Sequence, residues 1–427
     1  VILRDPVHGL IAFEDREDQI ISRLIATSEV QRLRRVRQLG LTSFVFPGAE
    51  HTRFAHAIGA AHVMQRLLAR LRQVDRSLPF WQRVTSERAR DAIAAAFLHD
   101  LGHGPLSHLF EDVIPGTASH ESWTERIVLD PSTEVHQVLF QDDASLPRRV
   151  VELVRGEHPL PYLANAVSGT FDVDRCDYLL RDAHATGARY GDFDLPWLLR
   201  SLRFDEGETP GLAIDGLKGI AAIEAFILAR FFMFQQVYFH KASRAAELLV
   251  RSIFRRAITL VQQGIRLPSV PPAILSLAIG EVPTLADYLE LDDNTLLSSI
   301  HAWEAADDPI LRDLTGRLRR RALFKTVELF RHTEAPETIT PELALAVTQD
   351  IARASNLDPD FYVGLDVAVD VPYSDKASPR VLFPRGPARL PSEVSFLLAR
   401  LRDETITRTR VIFAPEIRDA VQGALFT

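Results

Sequence analysis

At 427 residues, with 46% hydrophobic and 25% charged side chains, the chain has the composition of a globular protein able to bury a sizeable core. A net charge of −8 excludes indiscriminate nucleic-acid binding across the whole surface, and the single cysteine, Cys176, excludes an intramolecular disulfide framework. That cysteine usage leads us to expect a reducing, cytoplasmic setting. The sequence reading finds no apolar run of membrane-spanning length and no signal-peptide pattern at Val1–Pro6, so no membrane role is expected.

Residues 1–14 read as two short strands about a turn at Asp5-Pro6-Val7-His8-Gly9, with His8 structural. Residues 17–38 follow helical spacing, with Ser28 capping a second helix, and Phe44-Val45-Phe46 reads as a short extended piece. Over 52–72 one apolar stripe carries His56, Ala60, Val63, Leu67 and Leu71, which places His56 on the buried side. An Ala-rich helix runs from Glu87 to His99. Further helices are expected over 120–130, 147–155, 172–184, 194–203, 216–236 and 238–263, with helical character continuing to 334. Near Phe361 the pattern alternates as a strand to Val371; proline-rich turns, a strand over Arg410–Pro415 and a closing helix from Glu416 to Leu425 follow. The expected fold is mostly α: a helical domain with its helical extension over 1–335 and a smaller α+β lobe over 336–427.

The chemistry concentrates in His99-Asp100-Leu101-Gly102-His103-Gly104-Pro105-Leu106-Ser107-His108, where a helix breaks at two glycines and a proline. Imidazole plus carboxylate is a ligand set for a divalent ion such as Mn, Fe, Zn or Co. A second acidic segment holds Asp172, Asp174, Asp177 and Asp182; Asp174 lies between apolar neighbours, where an unpaired carboxylate is costly. Two basic clusters, Arg32 to Arg37 and Arg317 to Lys325, read either as solvated helix faces or as contacts for an anion.

His56, His99-Asp100 and Asp174 together resemble the H…HD…D pattern of the HD-domain metal phosphohydrolases. Asp5 to Gly9, Gln31 to Arg34, Gln38-Leu39-Gly40, Phe46 to Ala49, His99 to His108 and Asp172 to Asp182 are similar to its dNTP triphosphohydrolase branch. The resemblance implies an HD-domain helical core in which His56, His99, Asp100 and Asp174 hold a divalent metal (Mn, Fe, Mg, Zn or Co). It implies hydrolysis of a dNTP to deoxynucleoside and tripolyphosphate. His108 matches the proposed general acid with Asp172 nearby, His103 and His120 match phosphate-contacting or supporting histidines, and Glu111 stands where relatives carry aspartate. Arg53 and Arg230 match phosphate contacts; Gln38 and Asp182 match partners of the sugar 3′-hydroxyl; Leu39 and Tyr238 match residues near the 2′ carbon; and His240 belongs to a Tyr-x-His-Lys run. Gln31, Arg34, Arg321 and Lys325 match positions that contact a nucleotide effector, although Ala26 and Trp197 depart from the residues that read guanine there. A homo-oligomer, dimer or tetramer, is likewise implied. The rival readings are an HD-type phosphodiesterase or nuclease, and a nucleotide-sensing regulator with weak catalysis; nucleic acid is not the favoured partner.

Overall fold

The computed structural model describes residues 1–113, 118–205, 210–329 and 339–426, apart from the side chains of His108, Asp112, Val113 and Ala377. The fold is mostly helical, with three small sheets among the described residues. The chain opens with the expected hairpin, β1 (Ile2–Asp5) antiparallel to β2 (Gly9–Ala12). A 22-residue helix, Arg53–Val74, forms the centre; Thr52 caps it by accepting from the Ala55 amide, and its inner face packs on the Ala-rich helix Ser86–Leu98 and on Val173–Thr186. Small side chains set those spacings. A Cβ at Gly59 would lie 1.9 Å from an Asp177 oxygen, so only glycine lets Val173–Thr186 bring its acids that close.

Two departures from the sequence reading matter for the site. The segment after 200 is not helix: β3 (Leu202–Asp205) and β4 (Gly211–Asp215) form an antiparallel pair, and β7 (Arg380–Leu382) joins β4 in parallel. The helix expected over 194–203 therefore stops at Arg200, and Leu202 and Arg203 are strand, where pairing with Ile214 and Ala213 overrides the local helical pattern. The expected helix over 216–236 runs as Ile220–Met233 and then widens into a π-turn over Phe234–Tyr238 before the next helix, Lys241–Gln262. Such widened turns break the side-chain phase of a helix and cluster at functional sites.

The membrane reading also needs correction, because Ile220–Tyr238 is long and apolar enough to cross a membrane by length and composition. Here Ile223, Phe226, Ile227 and Met233 pack into the main core, while Arg230 pairs with Asp370. The short piece at 44–46 is likewise not extended, since Thr42–Phe44 forms a 3-10 turn.

The C-terminal sheet has the order β5–β8–β6, with β5 (Lys325–Glu328) and β6 (Val363–Asp370) both antiparallel to β8 (Ile406–Phe413). A helix unforeseen from the sequence, Pro341–Ala354, covers part of it with the closing helix Arg418–Phe426. The expected 335/336 division lies outside the described residues. β5 precedes it in the chain yet pairs with strands beyond it.

The basic clusters are largely internal ties. Arg32 is buried and donates to the carbonyls of Leu291, Leu101 and His103, and Arg35 pairs with Asp292. Arg317 bridges Asp313 and Glu416.

Candidate metal centre and adjoining cavity

Three helices supply the centre. Arg53–Val74 brings His56, the end of Ser86–Leu98 brings His99 and Asp100, and the first turn of Val173–Thr186 brings Asp174. His56 Nε2 lies 3.0 Å from Asp174 Oδ1, 3.4 Å from His99 Nε2 and 3.7 Å from Asp100 Oδ2. His99 Nε2 is in turn 3.4 Å from both Asp100 Oδ1 and Asp174 Oδ1. Three stretches far apart in sequence thus bring their donor atoms together, with His56, His99 and Asp174 forming one cluster and Asp100 bordering it.

The tautomers fit an ion there. His56 Nδ1 pairs with Asp177 at 2.8 Å and His99 Nδ1 with the Ala96 carbonyl at 2.9 Å, which leaves both Nε2 atoms as donors to a metal. Burial opposes protonation of His56, but hydrogen bonds to Asp174 and Asp177 outweigh it and lift its pKa to about 10. His99 is likewise pushed up to about 9 by Asp100 and Asp174 against its burial. Burial pushes the Asp174 carboxyl up, yet its bonds to the two histidines hold it below the usual carboxylate range. The carboxylates therefore gather cations here, protons or a metal ion alike. A mixed nitrogen and oxygen donor set of this kind suits a divalent ion.

Asp177 is the residue that sequence reasoning left without a role. It is fully buried and accepts from His56, from His8 Nε2 at 2.7 Å, and from Arg181 Nε at 2.8 Å; Arg181 also reaches Asp5 at 2.8 Å. The opening turn is thereby tied to a candidate metal ligand. The signal available in the sequence was the spacing of Asp177 and Arg181, one helical turn apart on the buried face.

Beside the centre lies a second donor group, Asp100, His103 and His120. His103 Nε2 is 3.3 Å from Asp100, its ring stacks on His120 at 3.8 Å, and His120 Nδ1 pairs with Glu111 at 2.9 Å. Burial, and then the Arg53 charge, push the His103 pKa well below its ordinary value, so it is neutral at pH 7. Arg53 is buried against Asp100 and donates to Ser107 Oγ at 3.0 Å. Ser107 and Leu106 adopt left-handed backbone (φ 58° and 57°), a conformation that non-glycine residues hold only when their surroundings enforce it. The side chain of His108 lies outside the described residues; its backbone begins the helix His108–Val113.

A cavity of about 640 Å³ is lined by Arg53, Asp100, His103, His120 and Asp174 and equally by Gln38, Leu39, Asp182 and Tyr238. Tyr238 donates to Asp182 Oδ2 at 2.7 Å, and His51 Nε2 meets Asp182 Oδ1 at the same distance. Gln38 Oε1 is buried and has no hydrogen-bond partner among the described residues. His51, like Ser107, was not singled out from sequence; its place in His51-Thr52-Arg53-Phe54-Ala55-His56 was the available signal. Asp172 caps Val173–Thr186 through the Arg175 amide at 2.7 Å; burial raises its pKa to about 7 against the nearby Arg175.

Other expected site residues stand elsewhere. Arg230 pairs with Asp370 and donates to the Pro372 carbonyl at 2.8 Å; it does not line the cavity. His240 caps Lys241–Gln262 and meets Phe46 edge-on, also outside the lining. Of the effector-matched set, Arg34 Nε donates to Gln31 at 2.9 Å, Arg321 donates to the Phe44 carbonyl at 2.8 Å, and Lys325 is exposed on β5. None of these four lines the cavity.

The HD-domain family profile matches residues 53–182, the span from Arg53 to Asp182, and the HD-associated region matches 193–267. The uncharacterized protein YwfO of Bacillus subtilis is 37% identical over 372 residues, 87% of this chain and 80% of that protein. The chain belongs to the HD-domain family. This HD-domain protein is also 28% identical over 358 residues to deoxynucleoside triphosphate triphosphohydrolase SAMHD1 of Gallus gallus, which spans 76% of this chain and 55% of that protein. A crystal structure of a phosphohydrolase from Bacteroides thetaiotaomicron superposes with a TM-score of 0.81 at 28% identity, over 97% of this chain and 99% of that one.

Proposed function

We propose that this HD-domain phosphohydrolase cleaves deoxynucleoside triphosphates to deoxynucleoside and tripolyphosphate. The observation that carries the reading is the shared cavity, whose lining joins the His/Asp donors to the polar group of Gln38, Asp182 and Tyr238. Its volume is that of a pocket for a ligand of nucleotide size. The similarity to a deoxynucleoside triphosphate triphosphohydrolase supports the same assignment.

His56, His99, Asp100 and Asp174 would hold a divalent ion, and two imidazole nitrogens among the donors favour Mn, Fe, Co or Zn over Mg. When bound, such an ion supplies Lewis-acid charge at the α-phosphoryl group and acidifies water. Arg53 and neutral His103, with His120 stacked on it, face the triphosphate; Glu111 orients His120. Asp182 accepts the proton of the sugar 3′-hydroxyl and the Gln38 side-chain amide donates to its oxygen, while Leu39 and Tyr238 close the space at the 2′ carbon, so a ribose is refused by contact. Water adds to the α-phosphorus, the bond to O5′ breaks, and the leaving alkoxide needs a proton, a role we give to His108 on resemblance.

The test is incubation of the protein with each dNTP and Mn²⁺, followed by phosphorus NMR of the products. Tripolyphosphate is expected; pyrophosphate or orthophosphate alone overturns the assignment. Cleavage of single-stranded DNA or RNA would instead favour the phosphodiesterase reading, and nucleotide binding with no turnover the sensor reading.

A further inference from the structure

Asp182 is buried in the cavity wall, and among the described residues its carboxylate is met by two side-chain donors, neither of them a lysine or an arginine. Tyr238 donates to Oδ2 and His51 Nε2 to Oδ1, each at 2.7 Å. An ionised carboxylate only accepts, so the His51 proton sits on Nε2. His51 Nδ1 is buried with no hydrogen-bond partner among the described residues, so the polar tie of this ring is to Asp182. Unlike Asp182 and Tyr238, His51 does not line the cavity; it stands behind the wall. Its backbone is engaged at the same place. The His51 carbonyl accepts from the Gln38 amide at 3.0 Å, Arg37 and Thr52 form an antiparallel bridge, and the Arg53 amide donates to the Val36 carbonyl at 2.9 Å. This short ladder runs into Thr52, the cap of Arg53–Val74. One residue thus meets Gln38 through its carbonyl and Asp182 through its ring, although the two lie far apart in the chain.

We propose that His51 is a positioning residue for the sugar: without touching substrate, it makes the enzyme depend on the 3′-hydroxyl by holding the Asp182 carboxylate in one orientation. The inference rests on the reading of the cavity as a dNTP site. A carboxylate turns about its Cβ–Cγ bond, a broad torsion that a single donor leaves open. Donors on both oxygens close it, so the lone pair offered to the 3′-hydroxyl keeps one direction. Hydrogen bonds from behind a binding group supply this kind of precision, and a site that lacks them is present but loose. Tyr238 alone does not suffice, because it belongs to the π-turn Phe234–Tyr238, whereas His51 is pinned by the ladder that also seats Gln38. Changing the His51 side chain leaves its carbonyl, and so the Gln38 seat, in place. Side-chain variants therefore isolate the effect on Asp182.

The test compares a dNTP with its 2′,3′-dideoxy analogue, which lacks only the hydroxyl in question, and reads consumption of nucleotide with Mn²⁺ present. Wild type is expected to favour the dNTP by at least about tenfold in kcat/KM, since a site built to bond a hydroxyl rejects the analogue without it. His51→Leu removes the donor at similar size. It should lower kcat/KM for the dNTP by about tenfold or more and leave the dideoxy analogue within about twofold, so that the ratio collapses. His51→Gln carries an amide nitrogen near the Nε2 position and should restore most of the ratio. The ratio does not depend on how much of a variant is folded, so a merely structural role lowers both rates together and leaves it unchanged. That result overturns the proposal, as does a wild type indifferent to the 3′-hydroxyl. Product identity is read separately. A preference for the dNTP that collapses in His51→Leu, with pyrophosphate or orthophosphate as product, removes the triphosphohydrolase assignment and keeps the role of His51; tripolyphosphate with an unchanged ratio in His51→Leu does the reverse. Where wild type binds nucleotide without turnover, the same ratios are read from dissociation constants in calorimetry, with the same outcomes deciding.

Discussion

His56 Nδ1 lies 2.8 Å from Asp177 Oδ2, and neither side chain reaches solvent. A metal-ligating histidine is held in register by what its other nitrogen meets, and loss of that partner costs about 10- to 100-fold in metal affinity. Asp177→Asn should therefore weaken Mn²⁺ binding by that order in calorimetry. His8→Gln touches the same carboxylate from the hairpin turn and should weaken binding less. Unchanged affinity in both variants would detach the hairpin from the centre.

Chelation is expected to lower the melting temperature, with recovery on adding Mn²⁺, because a ligand that binds only the folded state stabilises it. At 100 times its dissociation constant this amounts to about 2.7 kcal/mol. Replacing His56 and Asp174 together should abolish the Mn²⁺-dependent part of the melting curve; a shift that survives this would place the ion elsewhere.

Arg53 presents one fork to Asp100 and to Ser107 Oγ. Lysine keeps the charge and loses the fork. Arg53→Lys should reduce kcat/KM for a dNTP by about 10- to 100-fold, the loss of one charge-assisted bond. An activity within twofold of wild type would remove Arg53 from substrate contact.

The Tyr238 hydroxyl donates to Asp182, which fixes the ring against the cavity wall. If the ring refuses the ribose hydroxyl by contact, Tyr238→Ala should lower the dNTP-to-rNTP ratio of kcat/KM by at least about tenfold, an effect on the scale of a small steric change in a pocket. A ratio that stays constant while both rates fall would assign discrimination to another residue.

Asp308 caps the helix Pro309–Arg319 through the Leu311 amide at 2.7 Å and pairs with Arg256, which holds its carboxyl below the usual range against a smaller effect of burial. A depressed carboxylate stabilises the fold above its unfolded pKa and ceases to do so as pH falls through the lower folded value. Asp308→Asn keeps a capping side chain and removes the charge. It should cost about 1 kcal/mol at pH 7, since the pair is partly solvated; in urea melts the two proteins should begin to approach each other below about pH 4 and meet once the pH is under the depressed folded value. A difference that persists in acid would trace the loss to packing.

The helical frame was legible because its signals are local: caps, apolar stripes, and the Ala-rich run ending at His99. The donors His56, His99, Asp100 and Asp174 could be named by resemblance, and the structure brings them together. What escaped was set by distant partners. β3 pairs with β4, and β4 in turn with β7, some 165 residues further on. No local pattern announces the left-handed backbone at Leu106 and Ser107, which Arg53 and the Arg37 carbonyl hold through the serine hydroxyl. Arg230 has the residue type of a phosphate ligand, yet Asp370 is nearer to hand.

The parallel pairing of β7 with β4 means that sequence order and mechanical order differ in this molecule. The Gly216 amide donates to the Leu382 carbonyl at 2.7 Å, and the Gly219 amide closes onto Asp215 immediately before Ile220–Met233 begins. That helix leads directly into Tyr238. The C-terminal strand β7 and the residue at the cavity wall are thus joined through one strand and one helix, although some 140 residues of chain separate them.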